Sequence, residues 1–312
     1  MSAATSGSTK SAVVLIAHGT VESLDDLPAF LKNIRRGHPA PADLIAEVRR
    51  RYEAIGGKSP LLDINRSLAK RLEARVGMPT VTAMRLWHPY PIDVLRTLSE
   101  QGVNRIYTVP LAQHSAAVYG AAMTAAAKEL GATGANLEIV NASNWGQIPE
   151  LTRAFAAAVR AGLDAAPSGD PIAVVFTAHS LPVNVIRGGD PYEREFRMSA
   201  DAVGNALGAP VGPIRVAFQS QGIGTGMEWL GPDLETTLKE LAASGTKRVL
   251  IAPIGFLADH VEILYDLDIE AKALAESLGM TLYRSASLND EEGMVTALEA
   301  VVRRLMETSR SG

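Results

Sequence analysis

The sequence predicts an α/β fold: two similar Rossmann-like or flavodoxin-like units, each with a parallel sheet, and a cleft between them. Three observations predict it. Short apolar, β-rich runs alternate with longer stretches of helical period, as in parallel strands joined by helices. Several of these runs stop at a polar, titratable cluster, which is where strands of open α/β sheets meet ligands. The second half also repeats the first. Ala17-His18-Gly19 is answered by Ala178-His179-Ser180, and residues 102–110 by residues 245–253, with a histidine following in each. Several matches in one order indicate an internal duplication, and its period is far too long for a solenoid.

The elements follow in order. Residues 1–10 are small and polar and read as a flexible tail. An N-terminal unit over 11–150 has strands at 12–17, 80–86, 105–110 and 137–140. Helical patterns fall at 42–55, 64–76, 92–101 and 119–130. A turn-rich connector, Ala165-Ala166-Pro167-Ser168-Gly169-Asp170, closes the interval 145–170. A C-terminal unit over 170–312 has strands at 172–178, 214–219, 248–253 and 281–284. A long helix opens near residues 259–262 and runs to about 278, and a final helix over 303–309 is free to pack across on either half.

Composition narrows the function. The 312 residues are 47% hydrophobic and 21% charged, enough for a substantial core and unlike a disordered chain. The net charge is -4 with no Lys/Arg block, so no nucleic-acid partner is expected. There are 0 cysteines, which excludes disulfides, cysteine-bound zinc and a cysteine-bound iron–sulfur cluster. The tail lacks the apolar core of a signal peptide, and no apolar run reaches the roughly 20 residues that span a bilayer. A cytoplasmic, soluble protein is expected, with a monomer favoured. Peripheral membrane contact stays open, because an apolar substrate can be collected there.

Candidate chemistry gathers at two places. His179 ends an apolar strand and is followed by Ser180-Leu181-Pro182, where proline fixes the chain. A lone strand-end histidine is most often bonded to backbone. The duplicated position and the second cluster shift the balance toward function. That second cluster is Asp259-His260-Val261-Glu262. One acid in a first helical turn means little. Glu262, Asp266 and Glu270, however, are spaced i, i+4, i+8 and share one face of a regular helix. Like charges there repel, yet a stripe of hard oxygen ligands suits a divalent cation. The bland alternative is a solvated acidic face.

His18 and His114 form a first-half histidine set that is either a metal site or a packing remnant of the duplication. Residues 221–226 resemble a phosphate-cradling loop but do not complete G-x-G-x-x-G, because position 227 is Met. Arg35-Arg36, Arg51-Tyr52 and Lys58-Ser59 cluster in the first half, and arginine forks suit carboxylates.

Taken together, these segments resemble the ferrochelatase family. The resemblance rests on His179-Ser180-Leu181-Pro182, Gly189-Asp190-Pro191-Tyr192 and Phe218-Gln219-Ser220 with Trp229-Leu230-Gly231-Pro232. It rests also on Pro253-Ile254-Gly255-Phe256 with Asp259-His260-Val261-Glu262, and on first-half segments around Gly19, Arg35, Arg51 and Ser59. It covers about residues 12–306.

The resemblance implies a chelatase fold and insertion of Fe(II), as substrate, into a porphyrin in haem biosynthesis. No tightly bound cofactor is expected. His179 and Glu262 take the paired catalytic and metal positions, with Asp266 and Glu270 as further metal positions. His18, Arg35, Arg51, Tyr52, Ser59, Tyr119 and Trp229 are implied at the porphyrin. The Arg-Arg-Gly and Arg-Tyr-Glu segments are most similar to the short soluble branch that uses coproporphyrin III, with protoporphyrin IX as the other acceptor. Two departures stand out. His18 sits where that branch often has Tyr, and Ala112-Gln113-His114-Ser115 lacks the family's proline. Two alternatives remain: a cobalt or nickel chelatase acting on another tetrapyrrole, and a non-catalytic porphyrin carrier.

Overall fold

The computed structural model describes residues 9–208, 212–222 and 226–311. The first sheet contains β1 (Ser11–Ala17), β2 (Thr80–Met84), β3 (Arg105–Pro110) and β4 (Glu138–Asn141), in the order β2-β1-β3-β4. The second contains β5 (Ala173–His179), β6 (Ile214–Gln219), β7 (Arg248–Ala252) and β8 (Thr281–Arg284), in the order β6-β5-β7-β8. Every pairing is parallel. Counted within its own half, each sheet has the same order, so the duplication read in sequence is a duplication of topology.

The central strands explain the unbroken apolar runs. Residues 12–16 of β1 and 173–176 of β5 are 0% exposed, because helices cover both faces. In the first half these helices are α1 (Leu27–Ile34), α2 (Ala42–Ala54), α3 (Leu61–Val76), α4 (Pro91–Glu100) and α5 (Ala116–Gly131). Then α6 (Pro149–Ala165) leads to the second half, with α7 (Val183–Arg187), α8 (Tyr192–Leu207), α9 (Leu234–Ala243), α10 (Val261–Leu264), α11 (Lys272–Ser277) and α12 (Glu292–Ser311). No described helix is long and apolar enough to cross a membrane.

One core runs through both halves. It joins Leu68 and Leu72 of α3, Phe155 and Val159 of α6, Phe176 of β5, Phe196 of α8 and Leu298 and Val302 of α12. Burying each such side chain contributes about 1.5–3 kcal/mol.

Two expectations need correction. The final helix begins at Glu292 rather than 303, and it packs on α6, α3 and β3. Its apolar stripe, Met294, Val295, Leu298, Val301 and Val302, is buried there. The single helix expected over 261–278 is instead α10, a π-turn over Asp266–Ala271, and α11. The N–H of Glu270 donates to the carbonyl of Tyr265 at 3.0 Å, one residue beyond the α-helical partner. The i, i+4, i+8 face therefore does not continue past Asp266 as a regular stripe.

Candidate active site

His179 is the last residue of β5, and its backbone is fixed on all sides. The Tyr192 hydroxyl donates to the His179 carbonyl at 2.9 Å. The next residue, Ser180, is 0% exposed; its N–H donates to Gln219 at 2.7 Å and its hydroxyl to Leu230 at 3.0 Å. The imidazole is fixed too. Its Nδ1 lies 2.5 Å from the Ser180 carbonyl oxygen. A carbonyl only accepts, so Nδ1 carries the hydrogen and the neutral ring presents a free Nε2 lone pair.

Glu262 reaches this nitrogen from the second strand end. After β7 the chain turns over the end of β5 at Gly255, whose N–H donates to Thr177 at 2.9 Å. A Cβ on Gly255 would stand 2.3 Å from that of Ala178, so the close passage requires glycine. The chain then enters α10, placing Glu262 Oε1 3.8 Å from His179 Nε2. The other carboxylate oxygen lies 3.5 Å from His260 Nε2. Gln219, at the end of β6, donates to the Glu262 carbonyl at 3.2 Å. Three strand ends of one sheet thus converge on Glu262, whose carboxylate lies between two imidazoles.

The opposite wall comes from the first sheet. His18 follows β1 and its ring is open to the cleft, although it stands deep among protein atoms. Those surroundings lower its imidazole to about 4, with Arg85, His179 and His260 adding to the effect and Glu262 opposing it. Water reaching the ring through the open cleft weakens this shift, and a ligand displacing that water restores it. His18 therefore carries a neutral lone pair at pH 7. Burial pushes Glu262 upward, but His179, His260 and His18 more than offset this and hold it at about 2. Its carboxylate is ionised at every physiological pH, and 36% of its side chain faces solvent.

The other candidate residues divide into three groups. Tyr119 and Tyr52 lie close enough for the Glu262 charge to help raise their phenols, after burial as the main cause. Arg85 stacks on Tyr119 at 5.3 Å. Tyr52 is 2% exposed and its hydroxyl pairs with Thr20 at 2.9 Å. Ser59 is buried, and its hydroxyl accepts the Leu61 N–H at the start of α3.

A second group lies along the π-turn. Asp266 is raised to about 6, chiefly by burial, with Glu262 and Glu270 adding to it against Ser220 and Arg51. The Ser220 hydroxyl donates to Asp266 at 2.5 Å, and Arg51 lies 3.2 Å away. Arg51 also pairs with Glu47 at 2.8 Å and covers Tyr265. Glu270 is exposed. Among the described residues, no three His, Asp or Glu side chains are disposed to hold a metal ion.

A third group is held by other contacts. Arg35 is exposed, with Nε donating to the Pro39 carbonyl at 3.3 Å. Trp229 is half-buried, pairs by backbone with Pro182 and packs against Gly222. The glycine-rich segment 221–226 falls partly outside the described residues, since 223–225 are not among them. His114 is 2% exposed, bonded to Ser199 at 2.9 Å and pressed on Gly146. It is a core residue, which resolves the first-half histidine set into one cleft residue and one packing residue.

Sequence reasoning did not single out His260, Arg85, Gln219 or Tyr192 as site residues. His260 was within reach, because it lies two positions from Glu262. The others act from strand ends and a neighbouring helix, and only the tertiary pairing reveals them.

Two same-order parallel sheets facing each other across this site define a chelatase fold. SirB from Bacillus subtilis shares it with a TM-score of 0.62 at 16% identity, over 97% of this chain and 98% of that one. CbiX, the terminal enzyme of sirohaem biosynthesis in denitrifying bacteria, shares it with a TM-score of 0.56 at 13% identity, over 94% and 98%. At these identities the likeness establishes the fold alone.

Sequence is more specific. The ferrochelatase family model matches residues 10–306, and the chain belongs to the ferrochelatase family. The ferrochelatase of Acidobacterium capsulatum is 37% identical over 306 residues, covering 93% of this chain and 92% of that protein. The coproporphyrin III ferrochelatase of Geobacillus kaustophilus is 33% identical over 304 residues, covering 93% and 94%. The protein is accordingly a metal-inserting enzyme of haem synthesis.

Proposed function

We propose that this enzyme inserts Fe(II) into coproporphyrin III, with His179 as proton acceptor and Glu262 as its charge partner and iron contact. The observation that carries the reading is the 3.8 Å approach of Glu262 to a His179 Nε2 left free by the Ser180 carbonyl. A free-base porphyrin holds two pyrrole N–H protons. Insertion of Fe(II) forms four metal–nitrogen bonds and releases both protons, so net charge balances. The His179 Nε2 lone pair receives a departing proton. The imidazolium that results stands beside a carboxylate ionised down to about pH 2. Oxygen and imidazole ligands both receive a divalent metal and release it.

His18 faces the macrocycle from the other wall as a neutral ring. Tyr119 lines the same cleft, and Arg85 stands behind it. Asp266 and Glu270 offer carboxylates toward the outer end of the acidic segment. Coproporphyrin III carries four propionates. The exposed guanidinium of Arg35 suits them, and relatives such as that of Geobacillus kaustophilus bear this substrate in their name.

The test is anaerobic turnover with Fe(II) and either coproporphyrin III or protoporphyrin IX, followed by loss of free-base fluorescence. Faster metallation of coproporphyrin III supports the assignment. Faster use of protoporphyrin IX moves the enzyme to the other branch. Metallation of neither, with cobalt inserted into sirohydrochlorin, overturns the reading.

A further inference from the structure

The segment 259–268 carries His260, Glu262 and Asp266, yet it contains only one turn of α-helix before the π-turn. So short a helix does not hold its own position. It is held from behind by residues of β8 and the loop that follows. Arg284, the last residue of β8, donates from Nε and a terminal nitrogen to the two oxygens of Asp268, at 2.6 and 3.0 Å. Its other terminal nitrogen donates to Asp259 at 3.2 Å. One guanidinium therefore grips both ends of the segment, and its side chain is only 16% exposed.

Asn289 adds a second grip. Its amide nitrogen donates to Asp259 Oδ2 at 2.9 Å, while its amide oxygen accepts the Asp259 N–H at 2.8 Å. The Ser287 hydroxyl completes the set at 2.7 Å. Asn289 adopts φ 47°, a left-handed conformation that asparagine tolerates better than most residues. The same loop reaches the first half. Ser67 on α3 donates to the Asp290 carboxylate at 2.5 Å, and Arg71 donates to the Asp290 carbonyl.

We infer that Arg284 and Asn289 are positioning residues that set the reach of Glu262 toward His179, on a loop that the neighbouring Asp290 joins to α3 of the opposite half. The inference rests on the assignment of Glu262 as the iron contact and charge partner. Neither residue touches the cleft contacts described above, so they act through Asp259 and Asp268. Planar, bidentate contacts fix orientation as well as distance. Lysine at 284 keeps the charge and loses the fork.

The test compares Arg284→Lys, Asn289→Gly, Asn289→Asp and Glu262→Gln in the full chain, with coproporphyrin III and Fe(II). Glycine suits the left-handed backbone at 289 while removing the amide. Expected results are porphyrin binding within about three-fold of wild type and kcat lowered by about ten- to hundred-fold in Arg284→Lys and Asn289→Gly. Each rate is referred to the folded fraction measured by circular dichroism. Asn289→Asp gives a further readout. Its carboxylate faces that of Asp259, so a shared proton is needed to restore the contact. The ratio of variant to wild-type rate should rise as pH falls from 8 to 6.

Full kcat in Arg284→Lys and Asn289→Gly, with Glu262→Gln inactive, overturns the inference and leaves the assignment of Glu262 intact. Lowered melting temperature with unchanged kcat per folded molecule also overturns it, by showing a stabilising role only. Full activity in Glu262→Gln overturns the assignment itself, and the inference with it.

Discussion

The two halves share one strand order and one strand-end histidine, yet they put these to different uses. In the second half, β5 ends in His179, and the chain after β7 brings Glu262 to it. In the first half, β1 leads to His18, and the chain after β3 leads to His114. His114 does not turn into the cleft. It is buried against Ser199 and Gly146, and burial lowers its imidazole to about 4. A duplicated scaffold thus delivers an ionised carboxylate beside an imidazole on one wall and only a neutral imidazole on the other. That asymmetry suits the proton-releasing metal insertion proposed above, in which one wall accepts charge and the other faces the macrocycle.

The largest expected effect lies on the charged wall. Glu262→Gln keeps the shape and removes the charge beside His179. Metallation is expected to fall at least hundred-fold, within the usual range for loss of acid–base support, while fluorescence titration shows porphyrin binding retained. Comparable activity in that variant would break the comparison at its strongest point.

A glycine pair gives the next contrast. Gly255→Ala forces a Cβ into Ala178, directly before His179. About 1–3 kcal/mol of stability loss is expected, with kcat per folded molecule down about ten-fold or more. Gly146→Ala collides with the His114 ring instead. A similar loss of stability is expected there, with kcat per folded molecule little changed. Chemical denaturation paired with turnover separates the two.

His114→Ala sharpens the same point. Removing a buried ring and its bond to Ser199 is expected to cost about 2–4 kcal/mol of stability. Activity of the folded fraction should survive. A catalytic loss with normal stability would return His114 to the site.

These contrasts bear on how far the sequence was legible. Both sheets could be read from it, because their central strands are buried on both faces and leave unbroken apolar runs. His179 was singled out because it ends such a run, and Glu262 because it belongs to the polar, helix-opening cluster 259–262 beyond the next one. The π-turn could not be read. Residues 261–277 have ordinary helical composition, and nothing in their spacing marks the extra residue at which Glu270 bonds back to Tyr265. Ser59 and Tyr52 show a different limit. Their segments match the family, yet one hydroxyl accepts the Leu61 N–H and the other bonds Thr20. Type and spacing do not reveal which way a side chain turns. The long final helix was under-read although its apolar stripe was present, because its partner lies on the other half.

The last expected effect concerns pH and is read in stability alone. Asp266 titrates near 6 in the folded chain, above the ordinary carboxylate value. A raised carboxyl favours the folded state while protonated. Its contribution is present at low pH and is lost as pH rises from about 4 to 6. The loss is at most about 3 kcal/mol. Asp266→Asn should flatten the stability profile across that window. An unchanged slope would mean that Asp266 is solvated like an ordinary surface acid.

The central claim is that the two strand-end histidines are not equivalent. The most direct measurement is anaerobic single-turnover metallation, in which preformed complexes of coproporphyrin III with His179→Ala and with His18→Ala are mixed with Fe(II). The expected result is near-complete loss of insertion in His179→Ala and a rate within about ten-fold of wild type in His18→Ala. Equal loss in both, or a larger loss in His18→Ala, would contradict it.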